Sequence, residues 1–431
     1  MSSRLLRAAR NDQLLGNSAL IFLTTALMAA GGALFWVIAA RLATPEDVGL
    51  AGSLVVAGDS LALFAQLGLN IALLKTLPIS SRRAADVLTA AVLVTSAGAA
   101  FALVYALLLP VISPSLAEVV SSPVTIAIFC VLVAATALNV LTDSVFLGIN
   151  RVRDYLRLNG VLLGVVKCGL PFLLAGAGAF GLYGSVGGAV LCCALASLWV
   201  ILRHLPGPRR LSPSPELRAT GGFAAAGYVT YVLTVIPLLA FPLIVINALG
   251  SAQGGAYFIS FQVVGLLHAV VLAVANNAYA ECERAPHRRH AVARKGALML
   301  VGLAAAGCLA MQVLAPYFLQ IFGEHYVESG TSTLRVLALA VVAAACNYAG
   351  AMRLRLASNL AAMILVQLAS TVVMLVLAIE LAPHGTVWVA AAWGIGHAVG
   401  AVLGFLVTST IARFPDDAPV VVDPVPVGEA R

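Results

Sequence analysis

Long apolar runs alternate with short polar breaks along this chain. Twelve runs reach about 20 residues or more, the length that a bilayer core of about 30 Å demands of a helix. They cover residues 17–40, 48–74, 85–111, 124–148, 158–178, 181–202, 220–248, 254–279, 293–315, 332–352, 357–381 and 386–411. The fifth and sixth are divided only by the turn at Gly178–Gly181. The pattern predicts an all-α polytopic membrane protein of about twelve transmembrane helices. The run that follows Arg4, Arg7 and Arg10 is longer than the apolar core of a signal peptide, so it reads as a retained first helix.

The polar positions inside the runs are the informative exceptions. Residues 55–70 of the second run read VVAGDSLALFAQLGLN. Read as one helix at 100° per residue, the run places Asp59, Gln66 and Asn70 within about 40° of one another. A carboxylate at membrane depth costs at least about 2.5 kcal/mol, so this stripe is expected to face protein or water. Two readings remain open: it lines a cavity, or it packs against a neighbour with Asp59 protonated. Lys167 sits well inside the fifth run, either facing a cavity or reaching for the inner headgroups, with Asp59 or Asp143 as the natural ion-pair partner. Asp143 and Asn139 lie near the inner end of the fourth run, where Asp143 could equally pair with Arg151 or Arg153. Arg41 and Arg335 mark the outer ends of the first and tenth runs, as interface anchors paired with Glu46 or Glu328, or as cations at a cavity mouth. Asn276 and Asn277 end the eighth run, His268 lies two turns earlier, and His397 sits among glycines in the twelfth. A single histidine in a bundle is more often a hydrogen-bonded core residue than a proton carrier. Pro171, Pro237 and Pro242 are expected to bend their helices.

Composition agrees with the pattern. Of the 431 residues 61% are hydrophobic and 10% charged, with a mean hydropathy of +1.01. A soluble domain carries about 25% charged residues. The net charge of +7 first suggests an acidic partner, but its distribution explains it. With the N-terminus in the cytoplasm, all but Arg41, Lys167 and Arg335 of the 25 lysines and arginines fall in cytoplasmic segments. The opposite loops hold Glu46, Asp47, Glu118, Glu324, Glu328 and Glu380. This is the positive-inside distribution, which places both termini in the cytoplasm and leaves no need for a nucleic-acid partner. The seven cysteines have no metal-ligand spacing. No metal site is expected, and no Walker loop, nucleophile elbow or His/Cys cluster suggests an enzyme.

The basic, Pro-rich stretch HLPGPRRLSPSPELR divides the runs into six and six. We divide the chain into a cytoplasmic segment 1–16, an N-lobe 17–203, a cytoplasmic linker 204–219, a C-lobe 220–413 and a tail 414–431 expected to be disordered. The lobes echo one another at an offset of 206 residues, which superposes Arg41 on Asn247, Gly49 on Gly255 and Asn70 on Asn276. Six helices per lobe make this a parallel repeat about an axis along the membrane normal, an arrangement suited to alternating access.

The turn Ala40-Arg-Leu-Ala-Thr-Pro-Glu-Asp-Val-Gly-Leu50 and the later Phe64-Ala-Gln-Leu-Gly-Leu-Asn-Ile-Ala-Leu-Leu-Lys75 resemble the polysaccharide flippases. These are the Wzx-like, O-antigen transporter type of the multidrug/oligosaccharidyl-lipid/polysaccharide flippase (MOP) superfamily. Arg41, Pro45, Glu46, Gly49, Gly68 and Lys75 fit that pattern, and Gln66 replaces an acidic residue. The resemblance implies a MATE-like flippase fold of two six-helix bundles in the bacterial inner membrane. It implies movement of a polyprenyl-pyrophosphate-linked oligosaccharide from the cytoplasmic to the outer leaflet, with a glycan polymerase or glycosyltransferases as partners. Lys167, Arg41 and Arg335 are then the expected pyrophosphate cations. Asp59, Gln66, Asn70, Asp143 and Asn276 are the cavity or ion-coupling candidates. No cofactor is expected beyond coupling to a proton or sodium gradient, with Asp59 as candidate carrier. A multidrug antiporter, a lipid II flippase and a non-transporting scaffold for glycan synthesis are the alternatives.

Overall fold

The computed structural model describes residues 3–207, 209–219, 221–284, 288–357 and 359–410; the tail 414–431 lies outside them. Among these residues every regular element is a helix. In the N-lobe these are α1 Ser3–Leu42, α2 Pro45–Phe64, α3 Leu69–Thr76, α4 Arg83–Ile112, α5 Pro114–Val119, α6 Pro123–Gly148, α7 Val152–Tyr155, α8 Leu163–Gly169, α9 Pro171–Leu174 and α10 Gly178–His204. A π-helical turn, Leu156–Leu162, joins α7 to α8. The linker holds α11 Pro215–Ala219. The C-lobe holds α12 Gly221–Leu249, α13 Ser251–Arg284, α14 Arg289–Gln320, α15 Glu324–Leu356, α16 Leu360–Leu381 and α17 Thr386–Thr410.

Eleven of the described helical stretches are long and apolar enough to cross a membrane, and one of them, Val152–His204, has 53 residues. Straight, it would extend about 80 Å, more than twice a bilayer core. It folds back on itself instead, bringing Leu163 into one buried cluster with Ala189 and Cys193. That stretch supplies two crossings, which gives the expected twelve. The reversal falls at Gly178, whose φ of +64° favours glycine. Asp47 stabilises it from the neighbouring turn: its Oδ1 accepts from the Ala179 amide at 3.0 Å. The same residue lies in the first turn of α2, where Thr44 Oγ1 accepts from the Asp47 amide at 3.2 Å and Pro45 opens the helix. One carboxylate in the first turn of α2 thus ties the starts of two helices, where negative charge offsets the helix dipole.

The second crossing departs from the sequence expectation. The run 48–74 is not one helix: α2 ends at Phe64 and α3 begins at Leu69. Between them Leu67 and Gly68 take φ of 49° and 76°. A left-handed pair ends an α-helix, so rotation at 100° per residue cannot be carried from Asp59 to Asn70.

The lobes meet along α2 and α13. A Cβ on Gly49 would come within 2.5 Å of the Gly255 nitrogen, and one on Gly255 within 2.3 Å of the Pro45 carbonyl. Gly52 likewise lies against the ring of Phe258, which also packs edge-on against Trp36 at 4.5 Å. Both pairs, 49 with 255 and 52 with 258, are separated by the repeat offset of 206. Residues related by the repeat touch each other, as at the centre of a two-fold interface.

The ends of the lobes where α1, α4, α12 and α14 finish are tied by a similar exchange. Arg41, closing α1, donates to the Ile321 and Gln320 carbonyls at 2.9 and 3.2 Å, at the end of α14. Asn247, near the end of α12, donates to the Ile112 carbonyl at the end of α4 at 2.5 Å. Each donor meets carbonyls that a helix C-terminus leaves unpaired. On the opposite face the linker is fastened to the N-lobe. Buried Asp86 accepts from Ser80 Oγ at 2.5 Å, the Ser214 amide at 2.6 Å and Ser214 Oγ at 2.8 Å.

Candidate functional site

Asp59 lies 14 residues into α2, about 21 Å along the helix. It is exposed, although Gly58 and Ser60 on either side are buried. Its charge interacts with Lys167 on α8, and Tyr183 on α10 feels the same carboxylate. A Cβ on Gly58 would lie 3.3 Å from the Tyr183 hydroxyl. The exposed carboxylate thus lies on the side of α2 that faces α8 and α10 of the N-lobe. Lys167 is half-buried, with its ammonium 5.3 Å from the centroid of the Phe35 ring, a cation–π contact. Among the described residues no ion pair joins Asp59 to Lys167. The two are within electrostatic reach without neutralising each other by contact.

The other candidates separate from this pair. Gln66 is buried, and its amide nitrogen donates to the Ala62 and Ala137 carbonyls at 3.1 and 2.9 Å. It pins the end of α2 to α6. The expected stripe of Asp59, Gln66 and Asn70 does not exist as one face: Asp59 is open, Gln66 is packed and Asn70, in α3, is half-buried. The left-handed break at Leu67 and Gly68 is the reason. Arg41 meets carbonyls of the opposite lobe rather than Glu46 or Glu328. Arg335 exchanges bonds with Gln312 on α14, its Nε donating to the Gln312 carbonyl at 2.9 Å and receiving the Gln312 amide at its own carbonyl at 3.1 Å. Asn276 is exposed on α13.

Asp143 does not meet Arg151, which pairs with Asp154 instead. Asp143 is half-buried, and its Oδ1 has no hydrogen-bond partner. One turn earlier on α6, Asn139 donates from Nδ2 to Asn159 Oδ1 at 3.0 Å. Asn159 is fully buried in the π-helical turn Leu156–Leu162 and also receives the Cys193 thiol at 3.5 Å. Such turns concentrate at functional sites. Sequence reading passed over Asn159, because nothing in LRLNGVL distinguishes a π-helical turn from an α-helical one.

The C-lobe carries a polar cluster of another kind. His268 Nε2 and the Tyr348 hydroxyl lie 2.6 Å apart, and Asn347 Nδ2 meets His397 Nδ1 at 3.1 Å. Trp393 packs edge-on against both histidines, at 5.5 and 5.0 Å. Beside it, Phe241, Tyr257, Phe258, Phe261 and Val56 of the N-lobe border a narrow apolar cleft between the lobes.

No protein-family model matches this chain, and no curated protein matches its sequence. Solved structures do. A multidrug resistance MATE family transporter of the MOP superfamily, in an inward-facing conformation, superposes with a TM-score of 0.68 at 15% identity, over 89% of this chain and 96% of that one. The chain has the MATE fold. An outward-facing conformation of a multidrug resistance MATE family transporter gives a TM-score of 0.59 at 14% identity, over 91% of this chain and 94% of that one. A MOP superfamily transporter from Pyrococcus furiosus, described as having a binding pocket of reverse polarity that suggests a different function, gives 0.57 at 14% identity with the same coverages, 91% and 94%. Within the MATE fold, the open pair Asp59 and Lys167 belongs to the N-lobe, and the histidine cluster to the C-lobe.

Proposed function

We propose that this chain is an alternating-access transporter of a bacterial inner membrane that moves a polyprenyl-pyrophosphate-linked oligosaccharide from the cytoplasmic to the outer leaflet. The observation that carries the reading is Lys167. A cation this deep in the N-lobe, in no ion pair, is what a desolvated pyrophosphate requires. The lipid tail can stay in the bilayer while the headgroup crosses between the lobes. The ties of Arg41 and Asn247 hold one end of that passage closed, and rocking of the lobes must break them. Asp59 is the proposed coupling group, taking up a proton or sodium ion as Lys167 releases its anion.

A second reading has its own support. Asp59 is an accessible carboxylate, suited to a cationic drug, and two of the structural neighbours are described as multidrug resistance transporters. Proteoliposomes containing the purified chain distinguish the two. Inward-to-outward movement of a fluorescent polyprenyl-pyrophosphate glycan, without accumulation of ethidium, supports the lipid-linked substrate. Ethidium transport with no movement of the glycan lipid overturns it in favour of the antiporter.

A further inference from the structure

A second basic site lies at the opposite end of the molecule from the outer-face ties, where α13 ends, α14 begins and α15 ends. A pocket of about 470 Å³ is lined by Arg289, His290, Ala293, Arg294, Arg353 and Leu356. Its floor is apolar, with Cys282, Ala293, Met352 and Leu356 forming one buried cluster. Among the described residues that line it there is no carboxylate. Residues 281–295 and 353–355 together hold seven lysines and arginines against two glutamates. The Arg353 guanidinium stacks on Phe405 at 4.7 Å, which fixes its position and leaves its donor edge available.

The N-lobe provides an internal control. Arg82 and Arg83 precede Arg288 and Arg289 by the repeat offset of 206, and Arg82 and Arg288 are the N-cap residues of α4 and α14. In the N-lobe both arginines are held by neighbouring groups. Arg83 donates to the Pro78 carbonyl at 2.8 Å and Arg82 to Ser212 Oγ of the linker at 3.3 Å. Asp86 supplies an anion in the first turn of α4. In the C-lobe the position 206 after Asp86 is Val292, and the first turn of α14 has no acidic residue. The positive end of a 32-residue helix therefore lies beside an arginine-lined pocket, the arrangement that attracts phosphate groups. The positive-inside distribution places this face at the cytoplasmic headgroups, where basic pockets between helices hold anionic lipids.

We propose that this C-lobe pocket binds a phosphate-bearing lipid headgroup in the cytoplasmic leaflet, with Arg294 and Arg353 as its principal contacts. The headgroup supplies the anion that Asp86 supplies in the N-lobe. Its source is either bulk anionic phospholipid or the diphosphate of a transport substrate waiting to enter.

The test uses the full chain in detergent, titrated with phosphatidylglycerol, geranylgeranyl diphosphate or phosphatidylcholine and read by native mass spectrometry. Arg294→Gln with Arg353→Gln is expected to weaken binding of the two phosphate-monoanion or diphosphate lipids by about thirtyfold, from the loss of two cations near the membrane surface. Phosphatidylcholine binding stays unchanged. Arg157→Gln with Arg203→Gln removes two cations elsewhere on the basic face and is expected to leave binding within twofold, roughly the scatter of such surface effects. Arg294→Lys with Arg353→Lys restores most of the affinity and separates charge from misfolding. Diphosphate bound tenfold more tightly than phosphatidylglycerol identifies substrate loading; equal affinities identify a phospholipid site. Equal losses in the two glutamine pairs, or no loss in either, overturn the proposal.

Discussion

The two lobes share one helical plan and treat their intramembrane polar groups in opposite ways. In the C-lobe, His268, Tyr348, Asn347 and His397 form bonded pairs packed around Trp393. In the N-lobe, Asp59 and Lys167 interact at a distance without an ion pair, and the Oδ1 of Asp143 has no partner. A satisfied buried network rigidifies and specifies a packing. An unsatisfied charge at membrane depth is expensive and is kept for what it binds. In the proposed mechanism the N-lobe holds the chemistry and the C-lobe is a packed frame.

The comparison depends on the close approach of the lobes at α2 and α13, and the largest expected effect lies there. Gly49→Val places side-chain atoms where the Ser251 carbonyl would lie 2.2 Å from the first added carbon. The backbones must separate, at a cost of at least about 1–3 kcal/mol. We expect loss of transport together with a lowered melting temperature; full activity would mean that the α2–α13 contact is not held during the cycle. Next in size, Asp59→Asn keeps the shape and removes the charge. It should reduce the response of transport to an imposed ion gradient at least tenfold while leaving thermal stability near wild type. An unchanged gradient response would remove Asp59 as the coupling group.

The C-lobe counterpart is Asn347→Leu, which strips His397 of its partner. Leaving a buried polar group unsatisfied costs about 1–3 kcal/mol, so a lower melting temperature with transport retained within about threefold is expected. Transport lost at unchanged stability would reverse the roles assigned to the lobes. The smallest effect is expected of Arg41→Ala. Its bonds to Gln320 and Ile321 are exposed, worth about 1.5 kcal/mol or more when charged and less where water competes. Labelling of a cysteine introduced at the outer mouth should rise about threefold or less, and a decrease would contradict a closing role.

The twelve crossings were legible because run length alone determines them. The reversal at Gly178 was legible from glycines between two apolar runs. Charge asymmetry marked the linker, but not that Asp86 fastens it, since Asp86 and Ser214 are 128 residues apart. The break in the second run escaped because Gln66-Leu67-Gly68 is too short an interruption to divide a long apolar run. Only the left-handed φ of Leu67 reveals that the helix stops there. The histidine cluster was invisible for a different reason. Each histidine was readable as a core residue, but which face it presents depends on rotation of helices far apart in sequence. Asp59 and Lys167 could be named from cost alone, since no packing rule explains charges at that depth.

The central claim is that Lys167 is the anion site of the N-lobe. It is tested most directly by headgroup movement in proteoliposomes containing Lys167→Ala or His397→Ala protein, each inserted and melting within a few degrees of wild type. The account predicts that Lys167→Ala lowers flipping of a polyprenyl-pyrophosphate glycan by about a hundredfold or more, the size expected when an arranged charge partner of a desolvated anion is removed, while His397→Ala stays within about threefold. Wild-type flipping by Lys167→Ala would contradict it.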